Sequence, residues 1–230
     1  YSLYTNKDKT TWGRVCLKTD NSVQFPDSRT NMEAVWSRLG TSSLGSPNAE
    51  FYASKELIET YAKDLPAGAT DKRYELFFCR DQASLGATIV KFPGRVLFAP
   101  YVEFSTGFNT PELFLIAAEA AVRTGNTAEA LSFLNKLRNS RIENNKALTS
   151  TDPKIVLQTV LDERRREMPF MASDRLIDLK RLAIADNFKK SIQHPLAGKV
   201  FEMESTDARM ILPVPPKVLS LNPGIPQYER

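Results

Sequence analysis

Residues 113–138 constrain the fold more than any other stretch of this sequence. Ala117, Ala118 and Ala121 precede Gly125-Asn126, and Ala130, Leu134 and Leu137 follow at helical spacing, with Leu131 on the same side. Small residues on facing surfaces let two antiparallel helices approach closely, and the glycine supplies the turn between them. Thr110-Pro111-Glu112 reads as the start of the first helix. The threonine can cap it, proline suits the first helical position, and glutamate suits the positive dipole end. The first helix is expected to run to about Arg123 and the second to begin near Thr127.

Asp152-Pro153 opens a third helix in the same manner, with Ile155, Val156, Thr159, Val160 and Glu163 along one side. A fourth helical segment, roughly 172–185, carries Leu176, Leu179 and Ile184. The proline-rich tail from Leu212 is expected to be extended and turn-like. Before residue 105 the character changes: 15 of the 22 aromatic residues lie there, both tryptophans included. Residues 14–18, 34–36, 74–80 and 88–92 read as short strands, and 40–48 as a loop. One helix is expected after Ser54, with Leu57, Ile58 and Tyr61 on one face, ending before Pro66-Ala67-Gly68. The expectation is a mostly α fold: a helical hairpin packed against a loop-rich region with short strands. Residues 1–104 form the aromatic-rich part and 105–230 the helical part of one continuous domain.

The net charge of +4 comes from 31 basic and 27 acidic residues in mixed order. Residues 138–181 hold ten basic and seven acidic side chains. A nucleic-acid binder shows an unmatched basic stripe, and this pattern is one of paired or solvated charge. Cys16 and Cys79 fit no zinc spacing and sit in apolar runs, so they read as buried free thiols. The longest strongly apolar run, 113–118, is too short to cross a bilayer. No leader peptide is read at the start, and Cys16 follows Trp12-Gly13-Arg14-Val15 without the apolar stretch of a lipidation site.

Chemistry finds little to work with. The single histidine, in Gln193-His194-Pro195, reads as a surface loop residue. There is no Gly-x-Ser-x-Gly elbow, Gly-rich phosphate loop, HExxH or Cys/His cluster. Glu163-Arg164-Arg165-Arg166-Glu167 invites an active-site reading. Its two acids are four apart and share a helix face. Neighbouring arginines lower carboxyl pKa values and keep the acids ionised, the opposite of what a general acid needs. The run is therefore expected to be an ion-pair network tying Glu163 and Glu167 to Arg175 and Asp178. No catalytic residue, metal site or cofactor is expected.

The hairpin resembles one tetratricopeptide repeat, without the large aromatic usual at the position of Ala121. A single such repeat cannot bury its own face, so either the rest of the chain covers it or further repeats do. A longer series of motifs is similar to the SusD/RagB family. Ala118-Glu119-Ala120, Gly125-Asn126, Glu129-Ala130-Leu131, Leu134-Asn135 and Leu137-Arg138 resemble its helical segment. Glu163-Arg164-Arg165-Arg166-Glu167 resembles its Glu-Arg-Arg-x-Glu element, and Arg175, Asp178-Leu179 and Lys180-Arg181 its Arg-x-x-Asp-Leu-x-Arg element. Leu212-Pro213-Val214-Pro215, Asn222-Pro223, Gln227 and Tyr228 resemble its close. The four elements stand in family order over about half the chain. The sequence departs from the pattern at 170–174, where Glu-Gly is usual, and after Gln227, where Asn is usual.

That resemblance implies a SusD-like fold and a non-enzymatic, surface-facing lipoprotein of the outer membrane. It would bind a glycan, less often a peptide, and deliver it to a TonB-dependent (SusC-like) transporter, with no nucleic-acid partner and membrane attachment only through a lipid anchor. Sugar recognition uses flat aromatic faces ringed by polar groups. Trp36 leads into the loop that Tyr52 closes, and Trp12 precedes a glycine and a strand, so Trp36, Tyr52 and Trp12 are the candidate ligand contacts. A tetratricopeptide-like protein scaffold and a carbohydrate-active enzyme are the alternatives.

Overall fold

The computed structural model describes residues 33–36, 53–77, 83–85, 88–90, 108–169, 172–185, 188–227 and 229. The expected strand at 14–18, the loop at 40–48, and Trp12, Tyr52, Cys16 and Cys79 lie outside them. The chain divides into two compact units, Tyr1–Met171 and Ala172–Arg230.

In the first unit, α1 (Lys55–Ala62) begins where expected: the Ser54 hydroxyl accepts from Leu57 N at 3.2 Å. The helical hairpin follows as α3 (Thr110–Arg123) and α4 (Thr127–Arg141), and α5 (Pro153–Glu167) packs against both. Gly125 has φ +86°, and Asn126 N–H donates to Ala121 O at 2.8 Å, the left-handed closure that lets α3 stop within one residue. Asn126 then caps α4, and Asp152 caps α5 by accepting from Lys154 N at 2.8 Å. The cap of α3 differs from expectation. Asn109, not Thr110, accepts from Glu112 N at 2.9 Å, because the Thr110 hydroxyl donates instead to Glu33 O.

Leu115, Ala118, Ala121 and Val122 of α3, Ala130, Leu134 and Leu137 of α4, and Val156 and Val160 of α5 form one buried core. The alanines permit the close α3–α4 approach, and α5 covers the face that a lone hairpin would leave open. Ile155, expected on the buried side of α5, is exposed. Asn135 fixes the connection to α5 through its amide, which accepts from Leu148 N at 2.8 Å and donates to Leu148 O at 3.0 Å.

The expected strand at 74–80 is overturned for its described part: α2 (Lys72–Phe77) occupies it. The reason is tertiary. Asp71 accepts from Arg73 N at 3.0 Å, a cap that starts a helix and draws Arg73 inward. Just before it, β1 (Thr70–Asp71) pairs antiparallel with β4 (Ile142–Glu143), which continues directly from α4. The strand at 88–92 appears as β3 (Thr88–Val90), paired with β2 (Ala83–Leu85). At 34–36 there is no strand but a single antiparallel bridge, Ala34 to Asn109.

The second unit opens with α6 (Ala172–Ala185), on which Leu179 is buried and Ile184 is exposed. A hairpin follows, β5 (Ser191–Leu196) with β6 (Lys199–Glu204), turning at Ala197 and Gly198, both at positive φ. His194 is exposed as expected but lies in strand β5 opposite Phe201 rather than in a loop. The proline-rich tail is not wholly extended. Pro216–Leu221 forms α7, since proline's fixed φ suits a first helical turn. Gln227 then ties the tail back, its amide accepting from Val214 N at 3.1 Å and donating to Val214 O at 3.0 Å.

Candidate functional site

At the end of the hairpin lies a cluster of four arginines and four acids. Arg73, Arg138, Arg141 and Arg166 are buried, as are Glu33, Asp71, Glu163 and Glu167. The charges balance, which is what lets so many ionised groups leave water. The contributing elements explain their meeting. The β1–β4 pairing sets Asp71 and Arg73 beside the end of α4, where Arg138 and Arg141 stand three apart on one face. The last turns of α5 present Glu163, Arg166 and Glu167 to them.

Arg73 is the hub. Its Nε and Nη2 donate to the two Asp71 carboxylate oxygens at 2.9 and 2.6 Å, a fork-to-fork pair. Its Nη1 donates to Glu167 Oε2 at 2.9 Å, and Nη2 lies 2.7 Å from Glu163 Oε1. Glu163 Oε2 accepts from Arg138 Nη1 and Arg166 Nη1, each at 2.9 Å. Arg141 Nη2 donates to Glu167 Oε1 at 2.9 Å and to Glu33 Oε1 at 2.8 Å.

Spare donors reach backbone carbonyls near the end of α1. Arg166 Nε and Nη2 donate to Thr60 O and Lys63 O at 2.7 and 2.8 Å, and Arg138 Nη2 to Asp64 O at 2.9 Å. Asp64 holds the left-handed φ of 58°, a strained backbone for a non-glycine residue, while offering that carbonyl. The Tyr61 hydroxyl donates to Arg166 O at 2.6 Å. Five segments far apart in sequence are thereby bolted together.

The electrostatics keep Glu163 and Glu167 ionised near neutral pH, the wrong state for a general acid. Burial alone would raise the Glu163 pKa, but Arg73, Arg166 and Arg138 override it and hold it at about 2. Glu167 is likewise lowered, Arg141 and Arg73 outweighing its burial. Burial pushes Tyr61 well above its ordinary value. Among the described residues no group of His, Cys, Asp and Glu is placed to hold a metal ion.

Glu163 and Glu167 do sit in an ion-pair network, in which the sequence pointed to Arg166 of their own run but not to Arg73, Arg138 and Arg141. The partners found for these two acids are Arg73, Arg138, Arg141 and Arg166. Asp178 pairs with Arg181 at 2.8 Å within α6. One signal could have found two of the arginines. Arg141 continues the buried stripe of Ala130, Leu134 and Leu137 at helical spacing, and Arg138 adjoins it. A charged residue on an apolar stripe announces a buried partner.

Of the candidate ligand contacts, Trp36 is described. It is 57% exposed, and Val35 and Phe108 beside it are also exposed. The Val35 and Trp36 amides donate to Phe108 O at 3.0 and 3.2 Å. Three residues earlier, Glu33 is fully buried in the charge cluster. The segment thus has one end sunk in the scaffold and the other displaying an aromatic ring to solvent.

The pattern of the SusD family matches residues 110–230. Among solved structures, the chain is similar to a SusD-like protein from Bacteroides fragilis NCTC 9343, with 19% identity and a TM-score of 0.58. That likeness covers 99% of this chain and 58% of the other. It is also similar to a candidate sugar-binding protein from Bacteroides vulgatus ATCC 8482, with 23% identity and a TM-score of 0.54, over 99% of this chain and 50% of the other. The chain thus spans little more than half the length of these relatives, and at such identity the likeness establishes the fold. A search of curated proteins returns no match.

Proposed function

This chain belongs to the SusD family, and from that premise we propose that it binds a glycan nutrient at the cell surface and passes it to a TonB-dependent outer-membrane transporter without transforming it. The observation that carries the binding reading is Trp36, an exposed indole on a segment anchored in a rigid charge cluster. Exposed aromatic faces that stay put are what sugar C–H surfaces need, since little ordering entropy is left to lose on binding. Trp36 is the first proposed contact, and Trp12 and Tyr52 are the others. The non-enzymatic reading is supported by the charge cluster, in which arginines hold Glu163 and Glu167 ionised. Attachment to the outer membrane is proposed from the family. No helix among the described residues is long and apolar enough to cross a membrane.

The test is a binding screen of soluble polysaccharides and peptides by affinity electrophoresis, with calorimetry on each hit and a reducing-end assay on each mixture. The expected result is retention by at least one polysaccharide and no new reducing ends. In Trp36→Ala the affinity should fall about tenfold or more, roughly 1.4 kcal/mol, with an unchanged melting temperature because the side chain is exposed. Unchanged affinity would remove Trp36 from the site, and fresh reducing ends would overturn the non-enzymatic reading.

A further inference from the structure

We propose that Glu33 is a positioning residue, whose buried carboxylate holds the segment that presents Trp36; its bearing on binding rests on the reading of Trp36 as a ligand contact. The geometry separates this role from plain charge balance. Arg141 already has a carboxylate partner of its own: Glu167 Oε1 lies 2.9 Å from Nη2 and 3.1 Å from Nε. The Glu33 bond at 2.8 Å joins this preformed pair from a residue 108 positions earlier. What it adds is a tether.

In residues 33–36, Glu33 is the buried side chain, Ala34 is half-buried, and Val35 and Trp36 face solvent. Among the described residues, the segment's backbone hydrogen bonds run to the chain entering α3. Thr110 N and Oγ1 donate to Glu33 O at 2.8 and 3.2 Å, and Phe108 O accepts from Val35 and Trp36. Among the described residues, Phe108, Asn109 and Thr110 meet the segment edge-on, and Glu33 reaches through to the cluster. Short bridges of this kind open readily by themselves. A charge-assisted bond inside the protein is stronger and little screened. Removing it should free the display end while the helices stay packed, because Glu167 still serves Arg141.

Hydrogen exchange read at the Val35, Trp36 and Thr110 amides tests this. In Glu33→Gln these amides should exchange about tenfold faster than in the parent. In a Trp12→Phe background, iodide should quench Trp36 more strongly. Glu33→Asp, which keeps the charge on a shorter stem, should recover part of the protection. Leu134→Ala, a core variant away from the segment, should lower the melting temperature and leave Trp36 quenching unchanged. Should Glu33→Gln fail to fold, Glu33→Asp decides, since its shorter stem weakens the carboxylate's reach to Arg141 and should speed exchange at the same amides by a smaller factor. Parent-like exchange and quenching in the folded variants would overturn the positioning role. Unchanged affinity in Trp36→Ala would instead sink the ligand reading and leave the tether standing.

Discussion

Replacing Arg73 by methionine should lower the unfolding free energy by about 3–5 kcal/mol and the melting temperature by on the order of 10 °C. Methionine keeps much of the side chain's length and apolar stem, so the loss is of charge rather than bulk. Asp71, Glu163 and Glu167 all lie within 3 Å of the Arg73 guanidinium. Without it, Asp71 loses its fork partner, and Glu163 and Glu167 keep only the arginines of α4 and α5. A buried carboxylate whose counter-charge has gone is far costlier than the intact pair was helpful. Denaturant unfolding measures the change. A loss below about 1 kcal/mol, the size of an exposed ion pair, would mean that the cluster is solvated and holds nothing. The cluster need not add net stability over an apolar core, because the expense of dehydrating its charges offsets much of their attraction. Its effect is directional: each guanidinium fork accepts carboxylates at fixed angles and so sets how the segments meet.

The second large effect is acid sensitivity. The Glu163 pKa is about 2 in the folded chain against an ordinary 4.5. A depressed folded-state pKa contributes stability that is complete above the unfolded value and lost as pH falls through the folded one. The window therefore runs from about pH 4.5 down to about pH 2, and a shift of this size corresponds to about 3 kcal/mol for Glu163. Glu167 is shifted in the same direction and steepens the loss. Arginines stay charged throughout, so each proton taken up leaves unbalanced positive charge inside. Asp207 is also lowered, by its bonds to Arg209, but that pair is solvent-exposed and adds little. Urea unfolding across this range should show a steep fall that salt scarcely alters and that Glu163→Gln flattens. A parent stability level from pH 4.5 to 2 would contradict the buried pairing.

Much of the helical architecture was legible because its signals are local. Asn126, Asp152 and Ser54 cap the helices they precede, and Gly125 stops α3 where a left-handed residue was required. The alanine and leucine spacing marked the core of α3 and α4 correctly. What local reasoning missed was set by distant partners. The apolar look of Tyr74, Leu76 and Phe77 suggested a strand, but Asp71 and the pull on Arg73 made a helix. Thr110 lost its capping role to Asn109 because its hydroxyl had another acceptor, Glu33 O, 77 positions away. The acids Glu163 and Glu167 were identifiable from their spacing. Arg141 was signalled only by its place on the apolar stripe of α4, and Arg73 and the far acid Glu33 were not signalled at all, since no short-range pattern links residues 94 and 108 apart. Trp36 was picked as an aromatic beside a loop, and it stands exposed. What turns it into a candidate display residue is the buried Glu33 three positions earlier.

Charged side chains fasten the end of α4 to α5, and a double-mutant cycle on Arg138 and Glu163 measures that fastening directly. Arg138 stands on α4, Glu163 on α5, and their 2.9 Å bond spans the interface. Equilibrium unfolding of Arg138→Met, Glu163→Gln and the double variant should give a coupling energy above about 1 kcal/mol. Single losses that simply add, to within about 0.5 kcal/mol, would contradict it.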